Sequence, residues 1–122
     1  MCEFVDDCHS VFPLSIIQPC MVDSWEVWSK DFKPLALRPF GNKPVWIGYD
    51  PAESGDSAGL VVIAPPEPDY PKFRLLEHHQ FKGMDFASQA QYIKKLTTKY
   101  NVKYIGLDKS GMGTGVAQLV LE

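Results

Sequence analysis

At 122 residues, with 45% apolar and 22% charged side chains, the chain can bury one core of its own and is too apolar for general disorder. Its formal charge of −3 excludes a sequence-wide basic signature, so any nucleic-acid contact has to come through a local patch or metal ions. No apolar run reaches membrane-span length and MCEFVDDCHS lacks a basic segment followed by an apolar one, which predicts a soluble, intracellular protein with no secretory signal.

Residues 1–44 read as an extended lead-in, because prolines in VFPLSIIQPC, DSWEVWSKDFKP and LALRPFGNKP interrupt every long helix or strand. Cys2, Cys8 and Cys20 are odd in number, and with His9 they match no common zinc spacing, so they are read as core or surface thiols in a reducing compartment. Asp23-Ser24 can cap a short helix over Trp25 to Asp31, with Trp25 and Trp28 on one face and expected to pack on the following domain.

From Lys43 onward the pattern is regular, and residues 45–122 read as the folded domain. Strands are predicted at about Val45–Asp50, Leu60–Ala64, Phe73–Phe81 and Lys103–Asp108. The first three are joined by short connections, as antiparallel hairpins, while Pro65 to Pro71 can only be a loop. Asp85 is an N-cap candidate for an amphipathic helix burying Phe86, Ala90, Ile93, Leu96 and Tyr100, with Gln89, Gln91, Lys94, Lys95 and Lys99 toward solvent. That helix acts as a crossover, returning YIGLD parallel to VWIGYD, and Gly113 to Leu121 opens a second helix. Three antiparallel strands, a crossover helix and a fourth strand parallel to the first form the opening half of an α/β, ribonuclease H-like mixed sheet, which is therefore expected to be truncated. A doubly wound nucleotide-binding domain would alternate strand and helix from its start.

Two strands end alike, Ile47-Gly48-Tyr49-Asp50 and Ile105-Gly106-Leu107-Asp108. Side chains alternate along a strand, so each aspartate shares a sheet face with a glycine that clears space beside it. Parallel neighbours ~4.8 Å apart bring the two carboxylates together at the carboxyl ends of the strands, where open sheets place their sites. Adjacent anions repel unless neutralised. Shared protonation or an oxygen-seeking cation would serve, and a pair of Mg²⁺ or Mn²⁺ ions ~3.5 to 4 Å apart suits phosphodiester hydrolysis. Either aspartate alone would be ordinary strand-to-turn punctuation; the matched pair favours a metal site. Asp56 is a third carboxylate within reach of the same edge, either as a turn residue or as a metal ligand through water, with Glu53 the weaker candidate. His78 and His79 lie on one strand and point to opposite faces, so they cannot ligate together. The glycines of GMGTG form a tight turn at a helix start that can contact DNA backbone.

IGYDPAESGDSAGLVVI, FRLLEHHQFKGMDFASQAQYIKKL and YIGLDKSGMGTGVAQLV together resemble the nuclease domain of the large terminase subunit of tailed bacteriophages. FVDDCHSVFPLSIIQPCMVDSWEVW resembles the segment that leaves that family's packaging ATPase domain, making residues 1–44 a lead-in from a missing ATPase domain. The resemblance implies a metal-dependent endonuclease that cuts concatemeric phage DNA, with Asp50 and Asp108 among its acidic ligands. It also implies partners in double-stranded viral DNA, a small terminase subunit and the prohead portal, all in the cytoplasm of an infected bacterium. ATP would serve only the missing domain, since no P-loop motif is present. The family's further carboxylate has no counterpart after Asp108 except the poorly placed Glu122, so an incomplete metal site with weak or absent cleavage is expected, as is an exposed strand edge that pairs with a second copy. The rival readings are a noncatalytic DNA- or portal-binding module acting through Lys94, Lys95, Lys99 and Lys103, and an actin-like ATPase, which Pro51-Ala52-Glu53 fits poorly.

Overall fold

The computed structural model of the chain describes residues 11–52, 57–108 and 121, with backbone alone at 24 and 25. The chain divides into two units, Met1–Phe32 and Lys33–Glu122.

In the first unit the proline-broken sequence forms only short pieces: helix α1 (Leu14–Ile17), a 3₁₀ turn (Gln18–Cys20) and helix α2 (Ser24–Val27). Helix α2 stops four residues before the expected Asp31, and Trp28 O starts a separate turn by accepting from Asp31 N and Phe32 N. Ser, Trp and Val are mediocre helix formers, and so short a helix gains little from propagation. Cys20 is an exposed thiol; Cys2, Cys8 and His9 lie outside the described residues.

The second unit is built on four strands, β1 (Pro44–Asp50), β2 (Ser57–Ala64), β3 (Arg74–Lys82) and β4 (Asn101–Leu107), in the order β3-β2-β1-β4. Strand β1 pairs antiparallel with β2 and parallel with β4, and β2 pairs antiparallel with β3, as the hairpins and the crossover predict. Strand β2 starts three residues earlier than its apolar run, because Ser57 pairs with Lys82 and the hairpin ladder continues past the hydrophobic stretch. The crossover is helix α3 (Phe86–Lys99), whose cap Asp85 accepts from Ser88 N at 3.0 Å, and β4 follows without a loop. The Gly113–Leu121 helix expectation and the GMGTG turn fall almost wholly outside the described residues.

The two faces of this sheet differ. Under α3, Val45, Ile47 and Tyr49 of β1 and Ala58, Leu60, Val62 and Ala64 of β2 are buried with Ala90, Ile93 and Leu96 of the helix. Burying such side chains contributes about 1.5–3 kcal/mol each for the larger ones, and this is where the unit's stability resides. Beyond the core, Arg74 is buried against the rings of Phe40 and Tyr70, with its guanidinium 5.0 and 4.7 Å from their centroids. It bonds Glu67 at 2.9 Å, and Lys43 reaches the same carboxylate at 2.9 Å, which pins the proline-rich loop to the sheet. Glu67 and Tyr70 close that loop through a pair of backbone hydrogen bonds.

The opposite face shows the other half of each alternation: Trp46, Gly48 and Asp50 on β1, Gly59 and Val61 on β2, His78 and Gln80 on β3, and Tyr104 and Gly106 on β4. Tyr104 is 61% exposed and Leu75 46%, against 0–4% for the residues of β1 beneath α3.

Candidate metal centre at the carboxyl ends of β1 and β4

The β1–β4 ladder runs in register from Trp46–Tyr104 through Gly48–Gly106 to Tyr49–Leu107. The next residue on each strand is an aspartate. Asp108 N donates to Tyr49 O at 3.4 Å, so the ladder carries Asp108 to the level of Asp50, and both side chains are exposed. The backbones of the two residues singled out by the IGYD and IGLD repeat thus end side by side at one sheet edge. The register survives a shift between Val45 and Trp46, where β4 contains the extra residue Lys103 and two residues oppose one step of β1.

A side chain would be tight at either glycine, but the two differ in what surrounds them, a groove beside Gly48 and a ring at Gly106. A Cβ at Gly48 would lie 3.1 Å from Val61 Cγ2, and Gly48 lines a groove of about 400 Å³ together with Asp50, Gly59, Val61 and His78. At Gly106 the Tyr104 ring occupies the space, since a Cβ there would lie 3.2 Å from Tyr104 Cε1. Tyr104 packs edge-on against Trp46 at 6.1 Å between centroids, and Trp46 meets Phe73 at 5.6 Å. The glycine of β4 therefore seats an aromatic ring, while the glycine of β1 opens a groove running from Asp50 toward β3.

The histidines separate as predicted. His78 is exposed in the groove; His79 faces α3, where its Nε2 lies 3.0 Å from Glu77 Oε1 and 2.9 Å from the Tyr92 hydroxyl. Glu77 also accepts from Tyr100 OH and from Lys99 Nζ at 2.9 Å. Burial pushes the Glu77 carboxyl up, but the hydrogen bonds from Tyr100, Lys99 and His79 outweigh it and hold the group below its ordinary value. Of the helix lysines proposed as a docking surface, Lys99 is thus engaged in a structural network.

Asp50 has a neighbour whose response to it is resolved. Tyr49 points into the core with its hydroxyl buried and unpartnered among the described residues, and burial first, then the charge of Asp50, push it up to about 12. The phenol accordingly stays neutral and cannot serve as a base near pH 7.

One positioning residue escaped the sequence reading. Gln89, expected toward solvent, is fully buried, and its Nε2 donates to Ala52 O at 2.8 Å and Met84 O at 2.6 Å. The amide ties the turn after Asp50 to the start of α3. Its place three residues after Phe86 and four before Ile93 falls on the apolar stripe, which was the available signal.

Two adjacent, exposed carboxylates at a strand end are the donor set of a hard cation: Mg²⁺ commonly takes one or two carboxylates and completes its shell with water and substrate phosphate. The residues present fit such an ion. Among the described residues no group of three or more His, Cys, Asp or Glu side chains converges, so the site stands on this pair; Asp56 and Glu53 lie outside the described residues.

Comparison with known proteins agrees with this architecture. The terminase RNaseH-like domain family matches residues 47–122. The chain is 63% identical over 120 residues to the "Terminase, ATPase subunit" of Escherichia phage P2, covering 98% of this chain and 20% of that protein. It is 47% identical over all 122 residues to the "Probable terminase, ATPase subunit" of Haemophilus phage HP1 (strain HP1c1), again 20% of that protein. The chain therefore spans about a fifth of the length of these relatives. No solved structure matches the chain significantly. With its mixed sheet, its parallel β1–β4 pair and a family match over most of its length, the chain belongs to the terminase RNaseH-like domain family of bacteriophages.

Proposed function

We propose that the chain supplies a metal-dependent endonuclease centre to a terminase large subunit, with Asp50 and Asp108 as ligands of Mg²⁺ or Mn²⁺. The observation that supports this reading is the in-register pairing of β1 with β4, which runs up to the residues just before Asp50 and Asp108 at one sheet edge. A bound divalent ion, or a pair of them, would polarise a DNA phosphate and lower the pKa of an attacking water. Asp50 and Asp108 hold the charge in place, Gly48 keeps the floor of the groove low enough for a strand to approach, and the Gln89 amide fixes the turn that follows Asp50. The substrate in this reading is concatemeric double-stranded viral DNA, with the small terminase subunit and the prohead portal as partners in the host cytoplasm. ATP acts outside this chain, which has no P-loop sequence.

The test is calorimetric titration of Mn²⁺ into the chain and into Asp50→Asn, Asp108→Asn and the double variant, with plasmid nicking assayed in parallel. Each single variant is expected to weaken Mn²⁺ at least tenfold and the double variant to abolish binding. Unchanged affinity in the double variant would sink the reading.

A further inference from the structure

The groove beside Asp50 leads away from β4 and across the sheet to β3. In the ladder, Asp50 pairs with Gly59 and Gly59 with Gln80; one step along, Gly48 pairs with Val61 and Val61 with His78; at the end, Ser57 pairs with Lys82. His78, Gln80 and Lys82 are exposed on the face opposite α3 and line up along β3, a hydrogen-bonding row with one cation, Lys82, two strand spacings, or about 10 Å, from the level of Asp50. Between the row and the carboxylate the floor is low, since a Cβ built at Gly59 meets nothing within 4 Å. At the other end of the same face stand the partly exposed rings of Phe73 and Trp46.

We infer that this row binds the phosphate backbone of one DNA strand, laying the strand across Gly59 so that one of its phosphodiesters reaches Asp50 and Asp108. The inference deepens the nuclease reading and rests on it for the identity of the ligand. The row and Asp50 lie about 10 Å apart across β2, on the order of one to two nucleotide steps of an extended strand, so a phosphate held on the row leaves a nearby phosphodiester within reach of Asp50. Polar donors and aromatic rings on one face are the combination with which single strands are held, donors tracking the backbone and rings stacking bases, and here the rings stand farther along the face than the row. Asp50 lines the groove together with His78, so the row joins the groove at that residue. The carboxylates at the groove mouth repel phosphate without an ion, and the row, with the Lys82 ammonium and the hydrogen-bonding side chains of Gln80 and His78, is where the strand gains attraction from protein groups alone.

The experiment measures fluorescence anisotropy of a labelled single-stranded oligonucleotide with the full chain in EDTA, across a salt series. Circular dichroism checks that each variant is folded. The Lys82→Gln change is expected to weaken binding 3- to 10-fold and to lower the salt slope by about 0.7, the value for one phosphate contact on a single strand. Gln80→Glu, which sets a negative charge in the middle of the row, is expected to weaken it at least 10-fold, and His78→Ala by a smaller factor. Lys94→Gln with Lys95→Gln, on the outer side of α3, is expected to leave affinity unchanged. Equal affinity and slope in the Lys82→Gln, Gln80→Glu and His78→Ala variants would overturn the inference, as would loss of binding in the α3 variant instead or no binding by the unaltered chain. Calorimetric Mn²⁺ binding without DNA is read on the same variants. Its retention there, with its loss in Asp50→Asn, keeps failure of the row distinct from failure of the metal centre.

Discussion

The two faces of the β sheet in residues 33–122 are made from the same strands by alternation, yet they are organised for different ends. The face under α3 is closed: its apolar side chains are 0–4% exposed along β1, and its polar groups Glu77, His79, Tyr92 and Tyr100 bond one another. The opposite face gives up that burial. Where a second core would place large side chains it has Gly48, Gly59 and Gly106, and its strand ends carry Asp50 and Asp108. Period-two alternation lets a single strand serve both faces, with a packed core on one side and an open, glycine-lined surface on the other. Substitutions on the two faces should therefore separate folding from metal binding.

The largest effect on stability is expected at Ile93→Ala, which empties a fully buried site under the sheet and should cost about 2–5 kcal/mol in urea unfolding. Nearly equal stability in that variant would mean that α3 is not seated as described. Gln89→Leu should cost about 1–3 kcal/mol, since it leaves Ala52 O and Met84 O without their donor. Because it loosens the turn after Asp50, it is also expected to weaken Mn²⁺ several-fold, an effect that Ile93→Val, a mild core change, should not produce. That contrast in titration distinguishes the positioning role from simple destabilisation.

Smaller still is the response to pH. Tyr49 is raised from 10.0 to about 12 and Tyr100 is raised by burial and by its hydrogen bond to Glu77, so the folded state holds these protons more tightly than the unfolded chain. The contribution of both is complete below pH 10, and that of Tyr49 is lost as pH rises through 12, which predicts a falling unfolding midpoint from pH 10 to 12 and a shallower fall in Tyr49→Phe. At the acid end Glu77 is depressed, so its contribution is present above its ordinary value near 4.5 and disappears as pH falls below it. The smallest stability effect is expected at Gly48→Ala on the open face. The added methyl needs Val61 Cγ2, 3.1 Å away, to yield by a few tenths of an ångström, and Val61 is 37% exposed and able to do so. Its consequence should appear instead as reduced Mn²⁺-dependent nicking, through a raised groove floor.

Much of this arrangement was legible in the sequence, for identifiable reasons. The strands and α3 announce themselves through period and capping, and a crossover helix returns β4 parallel beside β1, which is why the β1–β4 register that ends at Tyr49 and Leu107 could be anticipated. Two features were not legible. Gln89 is polar, and only its position on the apolar stripe hinted that its amide is consumed by two backbone carbonyls. The Tyr104 ring over Gly106 depends on a side-chain rotamer and on the extra residue at Lys103, neither of which periodicity encodes. Identical four-residue endings thus gave two different surroundings, a groove beside Gly48 and a ring seat at Gly106.

A single divalent ion site shared by Asp50 and Asp108 would be visible as paramagnetic broadening of amide signals by substoichiometric Mn²⁺ in ¹⁵N-labelled chain. Tyr49, Asp50, Leu107 and Asp108 are expected to broaden together and first, and Asp50→Asn is expected to protect the β4 signals as well as those of β1. Broadening of only one strand end, or of β4 undiminished in Asp50→Asn, would rule out a shared site.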